Sequence, residues 1–350
     1  MSIRDSELVR VQIPEATALT VAILVAAGAD ATGATIVAEH LVESDLRGLH
    51  SHGLLRIPQY VGELVSGEID GRAEPEIVRR GAASVLIDGN LAFGQVAGAC
   101  AARHAESAAA DYGVGLAIVR RAGHAGRIGA YVERAAAAGN VVVAFCSGPR
   151  SGHRVAPFGG IDGRLSTNPI AFAFPGDDGP VIADFSTSTV PEGVVRRLRD
   201  IGAPAPEGSI QDASGAPSRD PAVLYEDPAG TILPLGGPRF GHKGYALGLL
   251  VEAMTTVLAG EEATDPRRLG NNLTVLVIAG GEDVVSAGPA LARYVRSSRP
   301  ADPDHPVLLP GDPEKSARQG NADVPIDPPT WHAINELATR YGVAVPPPVA

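Results

Sequence analysis

The sequence of 350 residues predicts an α/β fold, a mixed sheet covered by helices, joined to a helical part built from the two ends of the chain. Two observations carry this. From residue 81 to 325, short apolar runs at 85–88, 114–119, 141–146, 170–174, 181–184 and 273–278 alternate with helical patterns at 95–110, 127–138 and 241–258, which is the texture of strands covered by helices. Before residue 80 and after 326, by contrast, only helical spacing is found.

Taken in order, residues 14–28 and 32–44 carry small apolar residues at helical spacing with a glycine or polar break between them. A third helix is expected from Ser51 to about Val65, because Leu54, Ile57, Val61 and Leu64 recur every three to four residues. Ser51 would be its N-cap. A last helix is expected at 330–341. Residues 1–80 and 326–350 are expected to pack together as one discontinuous unit, and residues 81–325 to form the α/β region. Within the latter, residues 200–240 are rich in proline, glycine, serine and aspartate, which reads as a long irregular excursion with little core of its own. No internal repeat is visible.

Composition excludes several function classes. The formal charge of −11 disfavours nucleic acid, which demands a basic surface, and 4% aromatic residues leave few stacking platforms. No apolar run approaches the roughly 20 residues of a membrane helix, and the start of the chain lacks the apolar core of a signal peptide. A cytoplasmic protein with no membrane partner is expected. Cys100 and Cys146 are the only cysteines, so neither a disulfide framework nor a Cys-x-x-Cys metal site is supported.

The segment Asp45-Leu-Arg-Gly-Leu-His-Ser-His-Gly-Leu-Leu-Arg-Ile-Pro-Gln-Tyr60 concentrates proton-handling and anion-binding groups. On the expected helix, His52 and Arg56 lie four residues apart and project from one side, away from the leucine stripe. Imidazole moves protons near neutral pH, and guanidinium grips a carboxylate through paired hydrogen bonds. The pair suits a 2-oxo or 2-hydroxy acid. The same spacing also fits a capping Ser51 with two solvated side chains beside it.

Other positions gain meaning from their setting. His124, in Gly123-His-Ala-Gly-Arg127, follows the strand at 114–119, where ligands collect in open α/β sheets, and precedes a helix expected from Arg127. Lys243 falls in the expected first turn of the helix at 241–258, where a cation opposes the macrodipole and a bound phosphate or carboxylate would account for it. Asp184, at the end of a strand, could orient a histidine, hold a ribose hydroxyl or cap a turn. Ser166-Thr-Asn-Pro could line a site or form a turn. There is no Gly-x-Gly-x-x-Gly after a strand, no phosphate loop, no His-Glu-x-x-His and no Gly-x-Ser-x-Gly.

Taken together, residues 45–56, Gly123-His-Ala-Gly126, Pro157-Phe-Gly-Gly160, Ser166-Thr-Asn-Pro-Ile-Ala-Phe172, Ala183-Asp-Phe-Ser-Thr-Ser188 and His242-Lys-Gly-Tyr-Ala-Leu247 resemble the malate/L-lactate dehydrogenase family, in the family's order. The resemblance implies a nicotinamide-binding α/β fold that is not of the Rossmann type, in keeping with the missing glycine fingerprint. It also implies NAD or NADP as cofactor, a small carboxylate substrate and a homodimer; no metal is expected, since no ligand cluster points to one. By the same resemblance, Ser51, His52 and Arg56 form the active-site segment, with His52 as proton donor and Arg56 on the substrate carboxylate. His124 matches the second active-site histidine. His124, Ala125, Gly126, Asp184, Phe185, Ser186 and Lys243 are implied at the cofactor, with Ser147 or Ser151 supplying a serine contact. Pro310-Gly-Asp312 resembles a late turn near the dinucleotide. The implied reaction is hydride transfer at C2 of a 2-hydroxy or 2-oxo acid. Reduction of a cyclic imino acid and a binding protein without catalysis are the alternatives. One departure stands out: where many members carry a basic stretch, this chain has Val190-Pro-Glu-Gly-Val-Val195.

Overall fold

The computed structural model describes residues 8–265 and 269–349. Strand β1 (Val9–Gln12) runs straight into helix α1 (Ile13–Ala26), with a proline in its first turn. Helix α2 (Ala31–Leu46) begins at Asp30, whose carboxylate accepts from the backbone N–H of Thr32 and Gly33. The helix expected from Ser51 onward does not form. Two 3-10 turns, His50–His52 and Leu54–Arg56, carry the motif, and helix α3 spans only Ile57–Ser66.

Asp45 is the physical cause. Its buried carboxylate accepts from His50 Nδ1 at 2.8 Å and from the Leu54 N–H at 2.7 Å, pinning both turns to the end of α2. Gly53, between the turns, is extended (φ −95°, ψ −152°), and a Cβ there would overlap that carboxylate. Ser51 therefore caps nothing; its Oγ lies 2.9 Å from His52 Nδ1. Because Asp45 is held by two bonds and cannot withdraw, Gly53→Ala is expected to destabilise the fold by about 1–3 kcal/mol, read as a lower denaturant midpoint. An unchanged midpoint would mean that the turns float free of α2.

The sheet strands are β2 (Glu76–Arg80), β3 (Ser84–Asp88), β4 (Val114–Ala122), β5 (Val141–Ser147), β6 (Ile170–Phe174), β7 (Val181–Phe185) and β11 (Asn271–Ile278). Their spatial order is β2-β3-β4-β11-β5-β6-β7. Only β3 and β4 pair in parallel; the other neighbours are antiparallel. The crossover between the parallel strands is helix α4 (Gly94–Tyr112), whose Ala97, Ala101, Ala105 and Ala109 lie in one core with Val119, Val275 and Val277. Helix α5 (Ala130–Ala137) adds Val132 and Ala136 to that core. Helix α7 (Gly237–Glu252) packs elsewhere, with Val251 against Phe145 and Ile170. The mixed, helix-covered sheet expected from the alternation is present; β2, an exposed charged edge strand, carried no apolar pattern that announced it.

The remaining elements complete two smaller cores. After β7 come helix α6 (Glu192–Asp200) and strands β8 (Ile210–Gln211), β9 (Pro217–Ser218) and β10 (Thr231–Ile232), in sheet order β10-β8-β9. They enclose Val155, Leu165, Val195, Ile210, Leu224 and Ile232. Residues 200–240 thus contribute Ala205, Ile210, Val223, Leu224 and Ile232 to a core shared with Val155, Leu165, Val190 and Val195, more than their proline- and glycine-broken sequence, which shows no period, leads one to expect. Helices α8 (Glu282–Arg296) and α9 (Asp312–Gly320) precede β12 (Asp323–Ile326) and helix α10 (Pro328–Tyr341). Strand β12 pairs with β1, and Leu19, Ile23, Leu41, Tyr60, Val324 and Ile334 share the core of the two chain ends.

Two helix starts differ from the sequence reading. Helix α5 begins at Ala130 rather than Arg127; ahead of it the Arg127 N–H donates to His40 Nε2 and the Gly129 N–H to Asp184 Oδ2. Helix α7 begins at Gly237, after Gly236 at φ +99°, with a proline in its first turn. Lys243 is consequently in the second turn, beyond the first-turn reach of the helix macrodipole.

Candidate active site

A cleft opens where the motif turns of the N-terminal core meet the end of β7 and the start of α9. Ser51 and His52 line one wall, Gly126 and Arg127 the next, Asp184, Phe185 and Ser186 a third, and Gly311, Glu314 and Lys315 the far end. Residues from four distant stretches of sequence meet here because the loop after β4, the end of β7 and the α9 turn all come to this side of the N-terminal helices.

The histidines form a layered pair. The rings of His52 and His124 stack with centroids 5.7 Å apart and planes at 19°. His52 is on the cleft wall; His124 is one layer behind it, with Nδ1 2.9 Å from Tyr60 Oη. Arg56 binds Ser51 O through Nε and Gln59 Oε1 through Nη1, both at 2.7 Å. Its Nη2 faces α6, where a Cβ on Gly193 would come within 3.4 Å. Burial, then the charges of Arg56 and Arg127, lower the pKa of His52 to about 4. Burial, then Arg56, holds His124 well below its ordinary value. Both rings are therefore neutral at neutral pH.

The loop after β4 is shaped by close approach. Gly126 has φ +66°, and a Cβ there would come 2.5 Å from His40 Nε2. Desolvation raises the pKa of Asp184 to about 6, against the opposing pull of the Gly129 N–H and of Arg127. Arg47, also on the cleft, is held by Glu43 and Glu133 at 2.7 Å each.

The structure brings together some of the expected residues and not others. Ser51, His52, Gly126, Asp184, Phe185, Ser186 and Gly311 line the one cleft. His124 and Arg56 adjoin it, and Ala125 is buried beside it with its carbonyl accepting from Tyr131 Oη. Ser147 is instead fully buried against Thr255 and Thr256, and Ser151 is exposed in a 3-10 turn. Lys243 is exposed, with Nζ 5.6 Å from the Phe240 ring. Pro310 is exposed, and Asp312 is occupied by Arg296 and the Leu309 N–H. The missing basic stretch at 190–195 is the start of α6, and Arg196 in the next turn is paired with Glu192. Sequence reasoning overlooked Arg127, Glu314, Tyr60 and Gln95. Arg127 was legible as the third residue after His124; Gln95 gave no signal, being one polar residue on an alanine-rich helix.

The donor set fits a nicotinamide dinucleotide. Arg127 is 6% exposed, its Nε has no partner among the described residues, and its nearest carboxylate contact is 3.5 Å to Glu133. A desolvated, half-paired cation on a cleft wall calls for an anion such as a pyrophosphate. Glu314 Oε2 is likewise buried without a partner among the described residues. With Asp184 it offers acceptors of the kind that ribose hydroxyls use. Among the described residues no group of three or more His, Cys, Asp or Glu could hold a metal ion, and no helix is long and apolar enough to cross a membrane.

Comparison with known proteins places this architecture. The family model described as malate/L-lactate dehydrogenase matches residues 11–335. An L-lactate dehydrogenase of Cupriavidus necator is 36% identical, over 96% of this chain and 99% of that protein. Hydroxycarboxylate dehydrogenase B of Escherichia coli O157:H7 is 35% identical over 90% of each. The solved structure of sulfolactate dehydrogenase from Methanocaldococcus jannaschii superposes with a TM-score of 0.84 at 30% identity, covering 96% of this chain and 98% of that one. The chain belongs to the malate/L-lactate dehydrogenase family.

Proposed function

We propose that this protein is an NAD(P)-dependent dehydrogenase that oxidises a small 2-hydroxy acid at C2, or reduces the corresponding 2-oxo acid. The observation that carries the reading is a neutral, cleft-facing His52 flanked by Arg56 and Arg127. When bound, the nicotinamide supplies the hydride acceptor. Arg127 would lie against its pyrophosphate, and Asp184 and Glu314 against its ribose hydroxyls.

The chain's own groups do the rest. Arg56 offers Nη2 to the substrate carboxylate and fixes the distance from C2 to the base. In the tautomer that gives Nδ1–H to Ser51 Oγ, 2.9 Å away, Nε2 is left as the acceptor for the hydroxyl proton. As the hydroxyl proton passes to Nε2, the C–H electron pair leaves C2 as hydride and the C–O bond becomes a carbonyl. The carboxylate also neutralises the guanidinium that depresses His52, so the base strengthens once substrate is in place. Ser51 positions the ring.

The test is a panel of 2-hydroxy acids, 2-oxo acids and cyclic imines with both cofactors, followed by the absorbance of the reduced nicotinamide, beside fluorescence titration with NADH and NADPH. Reduction of one cofactor by one class of hydroxy acid is the expected result, and the titration identifies the cofactor. Absence of both turnover and cofactor binding would overturn the reading.

A further inference from the structure

Gln95, in the first turn of α4, is 1% exposed and has no part in the chemistry above. Its Nε2 donates to Tyr60 Oη at 2.7 Å, and Tyr60 Oη lies 2.9 Å from His124 Nδ1. A phenol has one proton to give. With its oxygen accepting from the amide, that proton goes to Nδ1, and every donor in the chain is used once. Oε1 has no partner among the described residues.

We infer that Gln95 is a positioning residue that acts through Tyr60 to hold His124 with Nδ1 bare and its hydrogen on Nε2. Tyr60 and Gln95 are both sealed in the interior, whereas His124 is half-buried. The accessible edge of the ring is therefore the one away from Tyr60, and it presents an N–H donor beside Arg56. Under the dehydrogenase reading, on which this consequence rests, that N–H faces the C2 oxygen and stabilises the negative charge it gains as the proton leaves. A neutral imidazole in this tautomer donates without surrendering its proton, so His52 alone carries the proton and His124 holds the oxygen.

The tautomer can be read without turnover, by nitrogen NMR of histidine-labelled protein. His124 is expected to show a bare Nδ1 and a protonated Nε2. Gln95→Met keeps the shape and removes the donor, so Tyr60 is freed to accept from Nδ1–H and the resonances move to a mixture of tautomers. Its kcat is expected to fall about 10–100-fold, as for the loss of other outer partners that orient a functional histidine. KM for the hydroxy acid should stay within about twofold, since Arg56 is untouched. Tyr60→Phe gives the same mixture by removing the link itself. A protonated Nδ1 in the native protein, or a Gln95→Met variant whose His124 resonances match the native ones, would overturn the inference. If no substrate turns over but the tautomer behaves as described, the reading of the reaction fails and the positioning role stands.

Discussion

His52→Ala is expected to lower kcat for the hydroxy acid by about 10²–10⁴-fold, the range for losing a positioned acid–base group. The dissociation constant for the reduced cofactor should change by no more than about twofold, because Arg127, Asp184 and Glu314 are untouched. His52 is the one imidazole on the cleft wall, and its Nδ1 is committed to Ser51. The stacked His124 cannot replace it, since its own Nδ1 is committed to Tyr60. A variant that retained most of its kcat would transfer the base role to His124.

The same residue fixes the pH dependence of oxidation. A general base must be unprotonated to work, and burial with Arg56 and Arg127 lowers His52 to about 4. With cofactor saturating, so that Asp184 is already engaged by it, the acid limb of kcat/KM for the hydroxy acid should therefore be level down to about pH 5 and fall only as the pH drops through about 4. The limb for kcat should lie higher, because the bound carboxylate cancels part of the Arg56 charge. A limb of kcat/KM near the ordinary histidine value of about 6.5 would show a base outside this desolvated, cationic setting.

What the sequence revealed and what it hid differ in physical kind. Strands β3 to β7 and β11 were legible because each is a run of apolar residues bounded by turn-forming ones, and α1, α2 and α10 because their buried faces repeat at helical spacing. The path of the motif was not legible. Leu54, Ile57, Val61 and Leu64 keep a helical period across the break, but Asp45, from the previous helix, holds the Leu54 amide and the His50 imidazole and fixes the turns between them. A side chain that competes from outside a segment leaves no trace in that segment's own pattern. The same limit explains the invisibility of Gln95, whose meaning lies in a hydroxyl 35 positions away. His52, Arg56 and His124 were named from local chemistry and family resemblance, and only the fold shows that His52 lines the cleft while His124, stacked on it, and Arg56, bound to Ser51 O, adjoin it.

Arg56 carries the second large effect. Arg56→Ala is expected to reduce kcat/KM for a 2-hydroxy acid by about 2–5 kcal/mol, the cost of truncating one partner of a buried charge pair. At about 1.4 kcal/mol per decade this amounts to roughly 30-fold to several-thousand-fold, most of it in KM. Arg56→Lys should recover only part, since a point charge does not reproduce the planar fork that also holds Ser51 O. Two further readouts separate a carboxylate clamp from a structural brace. Removing the guanidinium withdraws the largest charge acting on His52, so the acid limb of kcat/KM should rise above about 4. It should stop short of the ordinary histidine value because burial remains. A substrate analogue with a carboxamide in place of the carboxylate should bind the native enzyme poorly and lose little more on Arg56→Ala, giving a coupling energy that a brace alone would not produce. Equal losses for the acid and the amide would remove Arg56 from the substrate and leave it as a support for the motif turn.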